Sequence, residues 1–328
     1  MTTTTLEEKL RSKIKRLSET VWERRVQESA VNQWLSCFSL SGRDAPRDKL
    51  HALHLLAQFM YFGSKEMRAL LKHLYEELYR YPVVQEVRDR LKDPSSLKEI
   101  EEEYKNELHH TRFIGLGNPS ESGVHLLYYF RQEANLPKEV FIHTHNIFAR
   151  GTAAGSKPGA RALKEPSARH YVFIDDVCGS GDQAVEYSHQ ILEEMRDLGS
   201  KAKIHYYALF ATQGGLDRVR RETKFDRVEC IFELDDDYKV FDGARYFEPP
   251  TDGIDKAYAK DMCTEYGALL LEGEPKMYMP LGYKDGQLLV GFHHNTPNNT
   301  LPIMWSSAAA LDVRWKPVFK RYGKKYQW

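Results

Sequence analysis

The sequence predicts an α/β protein: a mostly parallel sheet covered by helices, with a helical lobe before it and an extension after it. Three observations predict this. From Thr111 onward, short β-branched and aromatic runs alternate with helical stretches. One of those runs, Tyr171-Val172-Phe173-Ile174, is apolar throughout, as a strand buried on both faces is. Before Thr111, apolar residues recur at helical spacing and strand signals are nearly absent. The expected organisation is a helical lobe over 1–110, an α/β domain over 111–250 and a C-terminal extension over 251–328, which completes the site and carries a basic aromatic tail.

The bulk numbers narrow the function classes. A hydrophobic fraction of 41% and an aromatic fraction of 12% are those of a folded globular chain. Lys+Arg and Asp+Glu are both 47, so no net charge draws the chain to nucleic acid or membrane. Residues 1–110 hold 19 basic and 18 acidic side chains, so the helical lobe has no electrostatic footprint for nucleic acid either. Cys37, Cys178, Cys230 and Cys263 match no zinc spacing, and reduced thiols fit a cytoplasmic location. An apolar leader and a run of about 18 apolar residues are both missing, so neither a signal peptide nor a membrane span is expected.

In the lobe, Val21, Trp22, Val26, Ala30, Val31, Trp34, Leu35 and Phe38 predict a helix over Val21–Phe38. Ser41–Pro46 breaks it. Helices over Lys49–Phe62 and Lys65–Tyr79 follow, parted by Gly63-Ser64, with Ser64 as a suitable N-cap. A charged helix over Leu97–Leu108 comes after Asp93-Pro94. In the α/β domain the predicted strands are Arg112–Leu116, Glu139–Thr144, His170–Ile174, Lys203–Ala211 and Val228–Leu234. The predicted helices are Ser122–Ala134, Asp182–Leu198 and Leu216–Thr223. Ligands of such sheets bind beyond the carboxyl ends of the strands.

The strongest signal lies at one of those ends: Ile174-Asp175-Asp176-Val177-Cys178-Gly179-Ser180-Gly181-Asp182-Gln183. An apolar strand stops at two carboxylates, a small-residue turn follows, and an amphipathic helix begins. Small residues at a helix start let backbone N–H groups close around an anion. Paired carboxylates suit ribose hydroxyls or a Mg²⁺ ion that carries phosphate oxygens.

This segment resembles the phosphoribosyl-pyrophosphate loop of type I phosphoribosyltransferases. The resemblance implies that Asp175 and Asp176 hold the ribose 2′- and 3′-hydroxyls, and Mg²⁺ with them. It implies that Gly179, Ser180, Gly181, Asp182 and Gln183 cradle a 5-phosphate. Asp182 stands where the family usually has a small residue, and Gln183 where it usually has Thr. Asp182 either caps the helix or repels the 5-phosphate.

Two more loops agree. Ile114–Gly123 lies where the family binds pyrophosphate, with Ser120, Ser122 and Gly123 as the contacts implied; as bare sequence it is equally a turn. His143–Asn146 and the small-residue, basic stretch Arg150–Arg161 occupy the interval of the family's flexible hood, with Arg150 among the substrate-binding residues implied. His143 and His145 are two apart, so on a strand both face one way, but no third metal ligand is evident.

Near the C-terminus, a strand over Leu288–Phe292 leads into His293-His294-Asn295-Thr296-Pro297-Asn298-Asn299-Thr300. These side chains offer donors and acceptors for reading a base edge, or make Asx and Pro turns. With the acid pair, the segment resembles phosphoribosyltransferase-like effectors of bacterial anti-phage conflict systems, some of them retron-associated. That implies His294 and Asn295 in catalysis, Asn298 and Asn299 in substrate binding, and control by a partner such as a reverse transcriptase with its nucleic acid or a DNA-binding protein. In the tail over 312–328, six basic residues interleave with Trp315, Phe319, Tyr322, Tyr326 and Trp328; this suits either nucleic-acid stacking or packing on the domain.

Overall fold

A computed structural model describes residues 5–117, 122–150, 161–308 and 314–322, leaving out the side chains of 122–124 and 190. In chain order the regular elements begin with α1 (Leu6–Thr20), α2 (Glu28–Leu35), α3 (Ala45–Leu56), β1 (Met60–Phe62) and α4 (Ser64–His73). A π-helical stretch over Leu74–Arg80 leads into α5 (Tyr81–Arg90), then α6 (Leu97–His109), β2 (Thr111–Gly115) and α7 (Ser122–Glu133). Next come β3 (Phe148–Arg150), β4 (Arg161–Leu163), β5 (His170–Cys178), α8 (Asp182–Asp197), β6 (Lys203–Thr212), α9 (Gln213–Glu222) and β7 (Arg227–Leu234). The C-terminal part adds α10 (Lys256–Leu270), β8 (Tyr278–Met279), β9 (Gly282–Tyr283), β10 (Val290–Phe292) and α11 (Pro302–Trp305).

These elements make two compact units. One is continuous, Arg68–Glu233; the other joins Met1–Met67 to Leu234–Trp328. The continuous unit is built on a four-stranded sheet in the order β2-β5-β6-β7. β2 runs parallel to β5, with Gly115 opposite Ile174, and β5 runs parallel to β6, with Asp175 opposite Ala208. Phe113, Ile114, Val172, Ile174 and Tyr206–Ala211 are buried, as the apolar runs predict for a parallel sheet covered on both faces. Tyr79, in the π-helical stretch, bonds through its hydroxyl to Thr111 Oγ1 at 2.7 Å and so anchors that stretch to β2.

Two strand expectations change here. Over 139–144 the backbone makes a 3₁₀ turn at Lys138–Val140 and a single parallel bridge, Phe141 to Phe113, in which the Ile142 N–H donates to the Phe113 carbonyl at 3.1 Å. β5 does not end at Ile174 but runs on to Cys178, since Val177 and Cys178 pair with Phe210 and Ala211.

The discontinuous unit is packed around aromatic side chains. Trp34 and Trp315 both donate their indole N–H to the Ile303 carbonyl, at 2.8 and 3.0 Å. Phe59 stacks on Phe319 at 4.0 Å between centroids. Asp48, fully buried, accepts from Arg43, Tyr258 and Tyr266 at 2.8–3.1 Å. The helix expected over Val21–Phe38 is confined to Glu28–Leu35; Trp22 and Val26 reach the core from a turn in which Glu23 and Arg24 take φ of +50° and +58°. Met60–Phe62, read as the end of a helix, is a strand that pairs in parallel with β10. Ser64 does not cap α4 with its own hydroxyl. Glu23 accepts from the Ser64 N–H and hydroxyl, both at 2.9 Å. In the tail, Trp315 and Phe319 are 1% and 2% exposed, so of the two readings packing describes them, and they offer no face for base stacking. No helix among the described residues is long and apolar enough to cross a membrane.

Candidate functional site

The acid pair sits inside β5, not beyond it. Asp175 and Asp176 are each 5% exposed, because the strand continues past them and β6 covers one side. Burying carboxylates is costly unless each oxygen finds a donor or a cation. Asp175 finds two donors: the Tyr206 hydroxyl gives to Oδ2 and the Asp176 backbone N–H to Oδ1, both at 2.9 Å. Burial still pushes the Asp175 carboxyl well above the usual range, and the adjacent Asp176 adds to the shift. Burial likewise pushes the Cys178 thiol up to about 12, which keeps it from serving as a thiolate nucleophile.

The turn after the pair is braced from the next strand–helix junction. Gly181 is the N-cap of α8 with φ +74°, so Asp182, for which capping was one of two readings, is the first helical residue. Thr212, at the end of β6, donates its hydroxyl to the Gly179 carbonyl at 2.5 Å and accepts from the Gly215 N–H at 3.0 Å. The first turn of α9 lies so near that a Cβ on Gly215 would come within 2.2 Å of the Gly179 oxygen. Asp182 is neutralised locally. Its carboxylate accepts from the Ser180 hydroxyl at 2.8 Å and forms a close ion pair with Arg218 of α9. Arg218 also reaches the Ser180 carbonyl at 3.3 Å and Glu222 at 3.0 Å. Gln183 occupies the second position of α8 and is half-buried.

The other two loops meet α8 through one side chain. Tyr187 donates its hydroxyl to the Gly117 carbonyl at 3.2 Å and bonds closely with the Thr144 hydroxyl. Gly117, with φ +102°, turns the chain out of β2. Ser120 lies outside the described residues, as does the 151–160 stretch; Ser122 and Gly123 open α7. Arg150 is exposed at the end of β3, opposite Arg161 of β4 in an antiparallel ladder. His143 and His145 stack at 5.5 Å at a 3₁₀ turn, where they face each other without a strand. No cluster of three or more His, Cys, Asp or Glu among the described residues is arranged to hold a metal ion.

A model of the PRTase-CE family matches residues 31–321, most of the chain. The chain belongs to the PRTase-CE family. None of the curated proteins compared with it matches. Family membership gives this chain a phosphoribosyltransferase-like α/β fold. The PRTase-CE match spans residues of both compact units, including the His293–Thr300 loop.

That loop belongs to the discontinuous unit. Asn295 Oδ1 accepts from the backbone N–H groups of Thr296 and Tyr322, each at 2.9 Å. Asn299, buried, donates to the Tyr283 carbonyl at 3.1 Å, and the Asn298 carbonyl accepts from the Tyr283 N–H at 2.8 Å. His294 is half-buried and stacks on Phe292 at 5.6 Å. In this PRTase-CE chain, then, both asparagine side chains hold backbone in place.

Sequence reasoning missed Tyr206, Thr212, Gly215 and Arg218. Tyr206 sits inside an apolar run and reads as core. Thr212-Gln213-Gly214-Gly215 did carry a signal: an N-cap residue and small residues at the carboxyl end of a strand beside the acid pair.

Proposed function

We propose that the chain binds a ribose phosphate, either phosphoribosyl pyrophosphate or a nucleotide, together with Mg²⁺, and acts at the anomeric carbon. One observation carries this reading: two adjacent carboxylates buried in β5, next to the small-residue turn that opens α8. A divalent cation or ribose hydroxyls would offset the burial and mutual repulsion that push the Asp175 carboxyl up. Mg²⁺ fits such a donor set, since it is commonly held by one or two carboxylates plus substrate phosphates and needs no all-protein cage. When bound, the metal would neutralise charge on a departing pyrophosphate.

In this reading Asp175 and Asp176 orient the ribose, and the Gly179–Gln183 turn receives the 5-phosphate. The segment through Ser120, Ser122 and Gly123 takes the pyrophosphate, with Arg150 adding charge. Roles for His294 and Asn295 at an acceptor, and for Asn298 and Asn299 in substrate binding, rest on the resemblance to conflict-system proteins alone. The role as an anti-phage effector under the control of a partner rests on resemblance to conflict-system proteins.

A second reading, ligand sensing without turnover, is favoured by one detail: both oxygens of Asp175 already accept protein hydrogen bonds. Calorimetry with phosphoribosyl pyrophosphate and Mg²⁺, run beside a pyrophosphate-release assay, tests both. Binding should vanish in Asp175→Asn/Asp176→Asn, and pyrophosphate release distinguishes transfer from sensing. Unchanged affinity in the double variant would overturn the ribose site. For the effector role, expression of the chain alone should slow cell growth and Asp175→Asn should relieve it.

A further inference from the structure

We propose that Arg218 receives the ligand's 5-phosphate, and that Asp182 holds the place of that phosphate as a displaceable internal anion. The proposal deepens the ribose-phosphate reading and rests on it.

Two donors converge on the Asp182 carboxylate, the Ser180 hydroxyl on one oxygen and the Arg218 guanidinium on the other. A hydroxyl from the turn, a guanidinium and a helix start make an anion-binding set, and here the anion is part of the chain. A phosphate offers three acceptor oxygens and more charge than a carboxylate, so it competes for the same donors.

The exchange requires no opening of the core. The Asp182 and Arg218 side chains are 30% and 28% exposed, so solvent and a ligand reach both. The close approach of Gly215 to Gly179 and the Thr212 bridge between them brace the backbone of the turn against the start of α9. The swap is therefore confined to side chains. Glu222, bonded to Arg218 Nε, keeps the guanidinium oriented while its Nη1 changes partner. Once displaced, Asp182 stays near the phosphate and repels it, so the resident carboxylate sets a threshold on affinity.

Binding of ribose 5-phosphate and of ribose to the full chain, each measured by calorimetry, tests the proposal. The readout is the ratio of the two affinities. Asp182→Asn should raise the preference for ribose 5-phosphate by about tenfold, because it removes both the competitor and the repulsion. Arg218→Gln should lower it by about tenfold, as loss of one charge-assisted hydrogen bond does. In the double variant the gain from Asp182→Asn should disappear. Arg218→Lys keeps the charge and should give an intermediate ratio, which separates anion binding from a folding defect. A ratio unmoved by Arg218→Gln, or by Asp182→Asn, overturns the proposal. If ribose binds and only the 5-phosphate response is missing, the proposal falls alone. If neither sugar binds the wild type or Asp182→Asn, the ribose reading falls and takes the proposal with it.

Discussion

The Nδ1 atom of His170 lies 3.1 Å from Nε2 of His205, at the start of β5 and β6, five residues along the strand from Asp175. The rings stack at 5.4 Å, and Glu107 Oε2 lies 3.6 Å from His170 Nε2. His205 Nδ1 is buried with no hydrogen-bond partner among the described residues. Glu107 is tied in turn to Arg90 and Arg169. The sheet thus carries ionisable groups at both ends, and the two ends respond to pH by different routes.

At the histidine end, burial holds His205 down to about 3, with His170, Arg227 and Lys203 adding to the shift; burial also lowers His170. A free histidine takes up a proton near pH 6.5. Between about 6.5 and 3 the unfolded chain therefore binds more protons than the folded one, and stability falls as pH falls. Glu107 acts in the same direction at lower pH: its Arg and His partners hold its carboxyl down against burial, so its contribution is lost as acid protonates it. Each buried neutral histidine should add about 1.4 kcal/mol per pH unit to the slope below pH 6. Amide hydrogen exchange of β5 and β6 at pH 7 and pH 5 reads this. His205→Gln should flatten the slope by about one proton; an unchanged slope refutes the assignment.

At the other end, Tyr206→Phe removes the hydroxyl that donates to Asp175 Oδ2. An unsatisfied buried acceptor costs about 1–3 kcal/mol. The same hydrogen bond lowers the Asp175 carboxyl against burial, so its loss should raise that carboxyl further. Mg²⁺-dependent ligand binding should then require higher pH in Tyr206→Phe than in the wild type. A binding-versus-pH curve that superimposes on the wild type would contradict the coupling.

Gly215→Ala and Gly214→Ala make a matched pair in the first turn of α9. The Gly215 Cβ would meet backbone oxygens of Gly179 and Cys178 at 2.2 and 2.8 Å, whereas nothing lies within 4 Å of a Gly214 Cβ. Gly215→Ala should destabilise by about 1–3 kcal/mol, as overpacking does, and weaken ribose-phosphate binding by moving the turn. Gly214→Ala should be neutral or slightly stabilising, since Ala is the better helix former. Urea unfolding of both variants checks the contrast; equal midpoints would show that the brace is soft.

The core of the α/β unit was legible because its signals are local. An apolar run, an acid pair, a glycine turn and an amphipathic helix follow one another within 28 residues, His170 to Asp197, and β5 and α8 formed over them. The end of β5 was misplaced because carboxylates are poor strand formers. The donor that helps one to be tolerated inside, the Tyr206 hydroxyl, lies 31 residues away. Met60–Phe62 reads as helix because its partner, Val290–Phe292, lies 230 residues on. The Asp182–Arg218 pair is invisible for the same reason: α9 carries many arginines, and nothing in their spacing marks the one that reaches the turn.

The split of one compact unit between 1–67 and 234–328 has a consequence for synthesis. Trp34 and Phe59 emerge from the ribosome early, but Ile303, Trp315 and Phe319, which cover them, are translated some 260 residues later. At about 5–20 residues per second, that delay is roughly 13 to 50 s. Throughout it Trp34 and Phe59 lack the partners that cover them, and from residue 234 onward the chain also holds every strand of the four-stranded sheet. For the last part of its synthesis each chain therefore carries all the strands of the sheet together with aromatic residues whose partners are not yet made, and a chaperone or another nascent copy would meet it in that form.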